Sequence, residues 1–191
     1  MIPNDTLEAQ CWMVNRRKAY FGSIMHFGRA LFTRQLTQQG FVIQKVIERK
    51  NSWGDVRLIG LPGDSLLKIR SLTNPKKIRA LPMASNKVIL DTVRSTALEP
   101  IVYFTDLIQV TYTKEQEPYA FQRARRSAST ANGSGFQYSL LRTLEASVTV
   151  DATGQFWRPH GIRSEGYWTW ELIAHDLPLD YNPDEQIRLP E

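Results

Sequence analysis

The sequence changes character at Gly40, and this change limits the possible folds more than any other feature. After Gly40, segments rich in β-branched and aromatic residues alternate with turn formers, as is typical of β-strands. These segments are FVIQKVIER, DVRLIGL, SLLKIRSL, NKVILDTV, PIVYFTDLIQVTYT and RTLEASVTVDATG. The last one alternates, with Leu144, Ala146, Val148 and Val150 on one face, which favours an antiparallel sheet with one buried side. The predicted elements do not alternate in the order strand–helix–strand, so the sequence does not favour a parallel α/β fold.

Before Gly40, apolar residues recur at helical intervals. Asp5 and Glu8 have the spacing of a capping box. The apolar residues that follow are Tyr20, Ile24, Phe27 and Leu31. Gly40 is a suitable C-terminal stop, so the pattern predicts one or two helices over residues 6 to 38. Gly22 and Gly28 would weaken these helices by about 1 kcal/mol each, which indicates that a neighbouring element approaches closely there.

The two remaining regions predict a mobile loop and a closing helix. Residues 122–135, QRARRSASTANGSG, are small, polar and basic, which is typical of a mobile loop. Gly166 precedes YWTWELIAH, which predicts a short helix, and Pro178 and Pro183 then favour an extended tail over residues 177–191. We therefore predict a single α+β domain over residues 1–191. Its N-terminal helix packs on a mainly antiparallel sheet, and a short C-terminal helix follows.

Composition and charge narrow the class of protein. The 191 residues are 42% hydrophobic and 23% charged, as in globular domains. No run approaches the roughly 18 apolar residues of a membrane span, and MIPNDTLEAQCW lacks the pattern of a signal peptide. Residues 151–191 carry a net charge of −5 and residues 1–150 a net charge of +10. The basic residues are scattered, and this does not favour a nucleic-acid surface.

No complete catalytic, cofactor or metal motif occurs. The three histidines form no HExxH pair, and GxSxG, GxGxxG and GxxxxGK[ST] are missing, so we predict neither a cofactor nor a metal. The single Cys11 cannot form an internal disulfide. One enzymatic alternative stays open, a hydrolase or transferase whose site is assembled from dispersed side chains. Its candidate residues are His26, His160, Asp176 and Asp180.

The two ends of the chain carry a more specific pattern. The segments NRRKAYFGSIMHFGRAL and GYWTWELIAHDLPLDYNP, at residues 15–31 and 166–183, resemble the ends of one domain of Bacteroidota envelope proteins. That domain follows a carboxypeptidase-regulatory-like, immunoglobulin-like module. YFTDLIQVTYTKEQEP and VTVDATGQF in the interior are similar to it as well. The resemblance implies a location in the periplasm or at the outer membrane and an adjacent immunoglobulin-like module as a partner.

Residues within these two end segments supply the candidate binding site. They are Tyr20, His26, Tyr167, Trp168, Asp176 and Tyr181. Because no complete catalytic set occurs and aromatic residues cluster near a terminus where a preceding module could dock, we interpret the chain as a non-catalytic module that binds a protein or a glycan of the envelope. We interpret the tail as a structural clasp rather than an active site, with Trp168 buried in an aromatic seam.

Overall fold

The computed structural model describes residues 5–48, 77–83, 89–104, 107–126, 135–171 and 177–184. The predicted strands DVRLIGL and SLLKIRSL lie outside these residues. The predicted α+β fold is confirmed within them. Helices precede a mainly antiparallel sheet, and a short helix follows it.

Three helices occupy the region before Gly40, where the sequence predicted one or two. They are α1 (Thr6–Tyr20), α2 (Ile24–Phe32) and α3 (Leu36–Gln39). Asp5 caps α1 by accepting the Glu8 backbone N–H at 2.7 Å, and Gly40 ends α3 in the left-handed conformation at φ 93°. Ile24 is exposed because the chain turns between α1 and α2, so Tyr20 and Ile24 do not share one continuous helix.

Gly22 and Gly28 have different roles, since Gly22 makes a turn and Gly28 allows a close contact between two backbone segments. Gly22 makes the turn between α1 and α2 at φ +80°, which favours glycine. A Cβ at Gly28 would lie 2.2 Å from the carbonyl oxygen of Gly154. The close approach predicted at Gly28 is therefore confirmed, and it brings α2 directly onto the backbone of a neighbouring hairpin.

The strands form two antiparallel sheets. The larger has the order β2-β1-β4-β5-β8, and the smaller has the order β3-β6-β7. The strands are β1 (Phe41–Glu48), β2 (Lys77–Met83), β3 (Ile101–Val102), β4 (Leu107–Gln116), β5 (Phe136–Thr143), β6 (Val148–Val150), β7 (Phe156–Trp157) and β8 (Ile162–Gly166). A 3-10 turn, Pro159–Gly161, precedes β8. Helix α5 (Tyr167–Glu171) follows β8 directly. The sequence did not indicate β2 or β5 as strands.

The core lies between α2 and the larger sheet. Phe27 and Leu31 on α2 are almost fully buried, and the Phe27 ring lies 5.4 Å from the ring of Phe41 on β1. Ile108 and Val110 on β4 belong to the same cluster. The apolar stripe of α2 thus covers one face of the sheet, because an amphipathic helix must bury that stripe against another apolar surface.

Two predicted strand segments are shorter than the sequence indicated. Leu144 and Ala146 are exposed, and only Val148 and Val150 are buried in β6. The Leu144 N–H donates to the Gly161 carbonyl instead of to a strand, so the chain bends there. In NKVILDTV, the described residues make a single bridge at Leu90 and then a turn.

Part of the predicted loop 122–135 is helical. Helix α4 spans Tyr119–Arg126, so residues 122–126 were wrongly assigned to the loop. The helix forms because Pro118 accepts from the Gln122 N–H and because Phe121 is buried against α5. Residues 127–134 lie outside the described residues, and their mobility stays a prediction.

The tail after α5 is not extended throughout. Within residues 177–184, the Tyr181 N–H donates to the Pro178 carbonyl at 2.9 Å and closes a turn. This turn brings the Tyr181 ring to 5.7 Å from the Tyr20 ring at the end of α1. The tail therefore packs against the N-terminal helices.

Candidate functional site

His26 lies in the interior beneath the turn between α1 and α2. It is only 3% exposed, and four aromatic rings surround it within 5.6 Å. These rings belong to Tyr20, Phe21, Phe41 and Tyr112. Nδ1 accepts the Gly22 N–H at 3.2 Å, so Nε2 carries the proton and donates to Gln39 Oε1 at 3.2 Å. Both ring nitrogens are occupied, which leaves neither to act as a general base.

Burial lowers the pKa of His26, and the positive charges of Lys114 and Arg29 lower it further, against the opposing effect of the hydrogen bond that His26 donates to Gln39. The neutral ring therefore fits the folded protein better than the charged ring. A second proton on Nδ1 would place two donors face to face, since Gly22 already donates there.

This geometry predicts a loss of stability in acid. The unfolded chain binds a proton near pH 6.5, above the lowered pKa of the folded state, so the free energy of unfolding falls as the pH drops below about 6.5. The slope from this group is at most about 1.4 kcal/mol per pH unit. Chemical denaturation of the parent and of His26→Asn between pH 7.5 and 5.0 measures the slope. The variant is expected to have the flatter profile, and equal slopes would contradict the assignment.

Trp168 joins the C-terminal helix to the turn at Gly22. Its indole Nε1 donates to the Gly22 carbonyl at 2.6 Å, and its ring lies 5.2 Å from the Phe27 ring. Its backbone N–H donates to Ser139 Oγ on β5 at 3.0 Å. The side chain is half-buried rather than fully buried. These contacts link α5, α2 and β5 at one point, as a structural clasp would.

Arg29 on α2 binds the backbone of the tail. Its guanidinium donates to three backbone carbonyls at 2.6 to 2.9 Å, and it lies 5.4 Å from the Tyr20 ring centroid. These carbonyls belong to Thr153, Leu179 and Tyr181. A planar guanidinium spreads its donors over three nitrogens and can reach separated acceptors, whereas a lysine ammonium presents all three donors from one nitrogen. Sequence reasoning missed Arg29, because an arginine on a helix gives no local sign of a partner that lies 150 residues away.

A cleft of about 1020 Å³ opens on the other side of α5, between α1, the end of β4 and the tail. We call it the α1–α5 cleft. Arg16 and Lys18 of α1 line it, as do Glu115 at the end of β4 and Glu171 on α5. Its size is at the upper end of the range for ligand-binding pockets.

An aromatic platform forms part of this cleft. Tyr167 and Trp170 line it, and both rings pack against Phe121 of α4, with centroid distances of 5.4 and 5.7 Å. Phe121 and Tyr167 are buried, but Trp170 is 45% exposed. The buried Phe121 ring therefore holds an exposed tryptophan in a defined orientation.

The carboxylate and phenol groups of the cleft have shifted pKa values. Burial raises the pKa of Glu115, although a hydrogen bond from Gln137 and the charge of Lys18 oppose the shift. Burial also raises the pKa of Tyr167, and its hydrogen bond to Glu171 adds to the effect. Gln137 Nε2 donates to Glu115 at 3.1 Å, while its buried Oε1 finds no donor among the described residues. The floor of the cleft is thus polar and partly desolvated.

The structure distributes the predicted binding residues over two places. Tyr20, His26, Trp168 and Tyr181 belong to the internal contact between tail and N-terminal helices. Tyr167 lines the α1–α5 cleft, and Asp176 lies outside the described residues. Sequence reasoning missed Arg16, Lys18 and Trp170. A signal existed for Trp170, because residues two apart on a helix point about 200° apart and Trp168 was expected to face inward.

His160 and Asp180 of the enzymatic alternative make no hydrogen bond to His26, and Asp176 lies outside the described residues. His160 is exposed in the 3-10 turn, and Asp180 is exposed in the tail. None of the hydrogen bonds recorded for His26 involves either of them. Among the described residues, no group of three or more His, Cys, Asp or Glu side chains could hold a metal ion. In the same part of the chain, none of the helices is long and apolar enough to cross a membrane.

Comparison with known protein families, with curated proteins and with solved structures finds no match for the chain. The resemblance of its two ends to the Bacteroidota envelope domain therefore stays a prediction. The function proposed below rests on the geometry of the α1–α5 cleft.

Proposed function

We propose that the domain is a non-catalytic binding module of the cell envelope and that its ligand occupies the α1–α5 cleft. The observation that carries this proposal is the exposed Trp170, whose ring packs on the buried ring of Phe121 at the wall of an open cleft of about 1020 Å³. Large aromatic side chains at fixed positions are the commonest energetic centres of binding sites. An envelope protein or glycan is the ligand class in keeping with the resemblance.

The clasp supports the same proposal indirectly. Trp168 anchors α5 to the turn at Gly22, and Arg29 anchors the turn that contains Tyr181; Leu177 and Pro178 also line the cleft. Wall residues that are anchored to the fold are preorganised, which reduces the entropy lost when a ligand binds. The immunoglobulin-like module named by the resemblance is the proposed neighbour in the periplasm or at the outer membrane.

Replacing Trp170 with alanine is expected to weaken ligand binding at least about tenfold without a large change in the melting temperature. The measurement is a titration followed by NMR or calorimetry with a panel of short peptides and oligosaccharides at millimolar concentration. Trp157→Ala is the matched control, since Trp157 is 64% exposed on β7 and does not line the cleft.

Two results would contradict the proposed function. One is a ligand that binds Trp170→Ala as tightly as the parent but loses affinity for Trp157→Ala. The other is a panel in which no probe perturbs the resonances of the cleft residues. Either result would move the binding surface away from α5.

A further inference from the structure

The chemistry of the cleft wall restricts the class of ligand. Trp170 offers an exposed ring whose orientation is fixed by Phe121 at 5.7 Å. A flat, weakly polar ligand face can stack on such a ring with little loss of side-chain freedom. The less polar face of a sugar ring has this character.

Hydrogen-bonding groups of several kinds surround the ring. Asn15 and Gln116 provide amides, and Glu115 and Glu171 provide carboxylates. Amides both donate and accept, and carboxylates accept from as many as four directions. A sugar hydroxyl donates and accepts through one oxygen, so it can form hydrogen bonds with both the amides and the carboxylates.

Other ligand classes fit this wall less well. A nucleic acid needs a continuous row of cations along its phosphates, and the basic residues of this chain are scattered. A peptide that adds a strand needs a sheet edge, and none of the β8 residues at the sheet edge lines the cleft. The lining therefore favours a saccharide.

Two cations on the α1 wall indicate an acidic group on that saccharide. Arg16 stacks over the Trp12 ring at 5.9 Å. In the described part of the chain, no carboxylate is within ion-pair distance of Arg16 or Lys18. A guanidinium and an ammonium at one wall of a cleft can each bind a carboxylate of the ligand.

We propose that the α1–α5 cleft binds an oligosaccharide that carries carboxylate groups. A sugar ring stacks on Trp170, and separate carboxylates of the oligosaccharide bind Arg16 and Lys18. This inference rests on the proposed function, because it specifies the ligand of the same cleft.

The test compares tetragalacturonate with its neutral counterpart galactotetraose by calorimetry on the full chain. Tetragalacturonate is expected to bind at least about tenfold more tightly, with an affinity that falls as salt is added. Trp170→Ala should weaken both ligands. The double variant Arg16→Gln, Lys18→Gln should weaken only the acidic one, and Arg94→Gln, which removes an exposed cation paired with Asp91, should change neither.

Three outcomes would overturn the inference. Equal affinity for the acidic and the neutral tetramer would remove the role of the two cations. Affinity for tetragalacturonate that survives Trp170→Ala would place the saccharide elsewhere. If peptides alone bind and their binding depends on Trp170, the proposed function stands but the saccharide class is wrong.

Discussion

Replacing Trp168 with alanine is expected to lower the free energy of unfolding by about 3 kcal/mol. The side chain is half-buried, so the cost is at the lower end of the range for tryptophan truncation. The change removes the packing on Phe27 and leaves the Gly22 carbonyl without its indole donor. Because domains are stable by only about 5 to 15 kcal/mol, this is a large share of the total. For a chain of this size, the melting temperature should fall by about 6 to 12 °C.

Two controls separate the contributions. Trp168→Phe keeps most of the packing and removes only the donor, so a loss of about 1 kcal/mol is expected. Trp170→Ala, two residues later on the same helix, should cost less than about 1 kcal/mol because its ring is largely exposed. Equal melting temperatures for parent and Trp168→Ala would show that the clasp does not stabilise the fold.

Replacing Arg29 with methionine is expected to cost about 3 kcal/mol as well. Methionine keeps an unbranched apolar side chain, but the cation over the Tyr20 ring is lost, and the carbonyls of Thr153, Leu179 and Tyr181 lose their charged donor. Hydrogen bonds to charged groups contribute more than neutral ones, although partial exposure of these carbonyls reduces the loss. Chemical denaturation followed by circular dichroism measures it.

Arg29→Lys tests whether geometry or charge matters. A single ammonium cannot reach three carbonyls from one position, so lysine should recover less than half of the loss. Arg94→Met, which breaks an exposed pair with Asp91, provides the background value, expected at or below about 1 kcal/mol. An Arg29→Lys variant as stable as the parent would contradict the bridging role.

Local signals predicted the elements whose stability is local. The cap at Asp5 and the left-handed glycine at Gly40 could be read from a few neighbouring residues, because their hydrogen bonds close within four positions. The short helix after Gly166 followed from similar evidence. The α+β fold followed from the change in residue type at Gly40.

Elements that depend on distant contacts could not be predicted in this way. Strand β5 buries Gln137 and Ser139 together with Leu141, so polar residues hide the usual alternation. Helix α4 has one buried anchor, Phe121, whose partners Tyr167 and Trp170 come more than 40 residues later. The cleft is invisible to sequence for the same reason, since α1 and α5 are at opposite ends of the chain.

The contacts of Trp168 and Arg29 have a consequence for protein synthesis. The hydrogen bond from Trp168 to Gly22 spans 146 positions, and that from Arg29 to Tyr181 spans 152. At a translation rate of about 5 to 20 residues per second, α2 emerges from the ribosome roughly 7 to 30 seconds before these partners do. During that interval its apolar residues lack part of their final cover. The nascent chain is therefore most exposed to aggregation and to chaperones until its last quarter has been made.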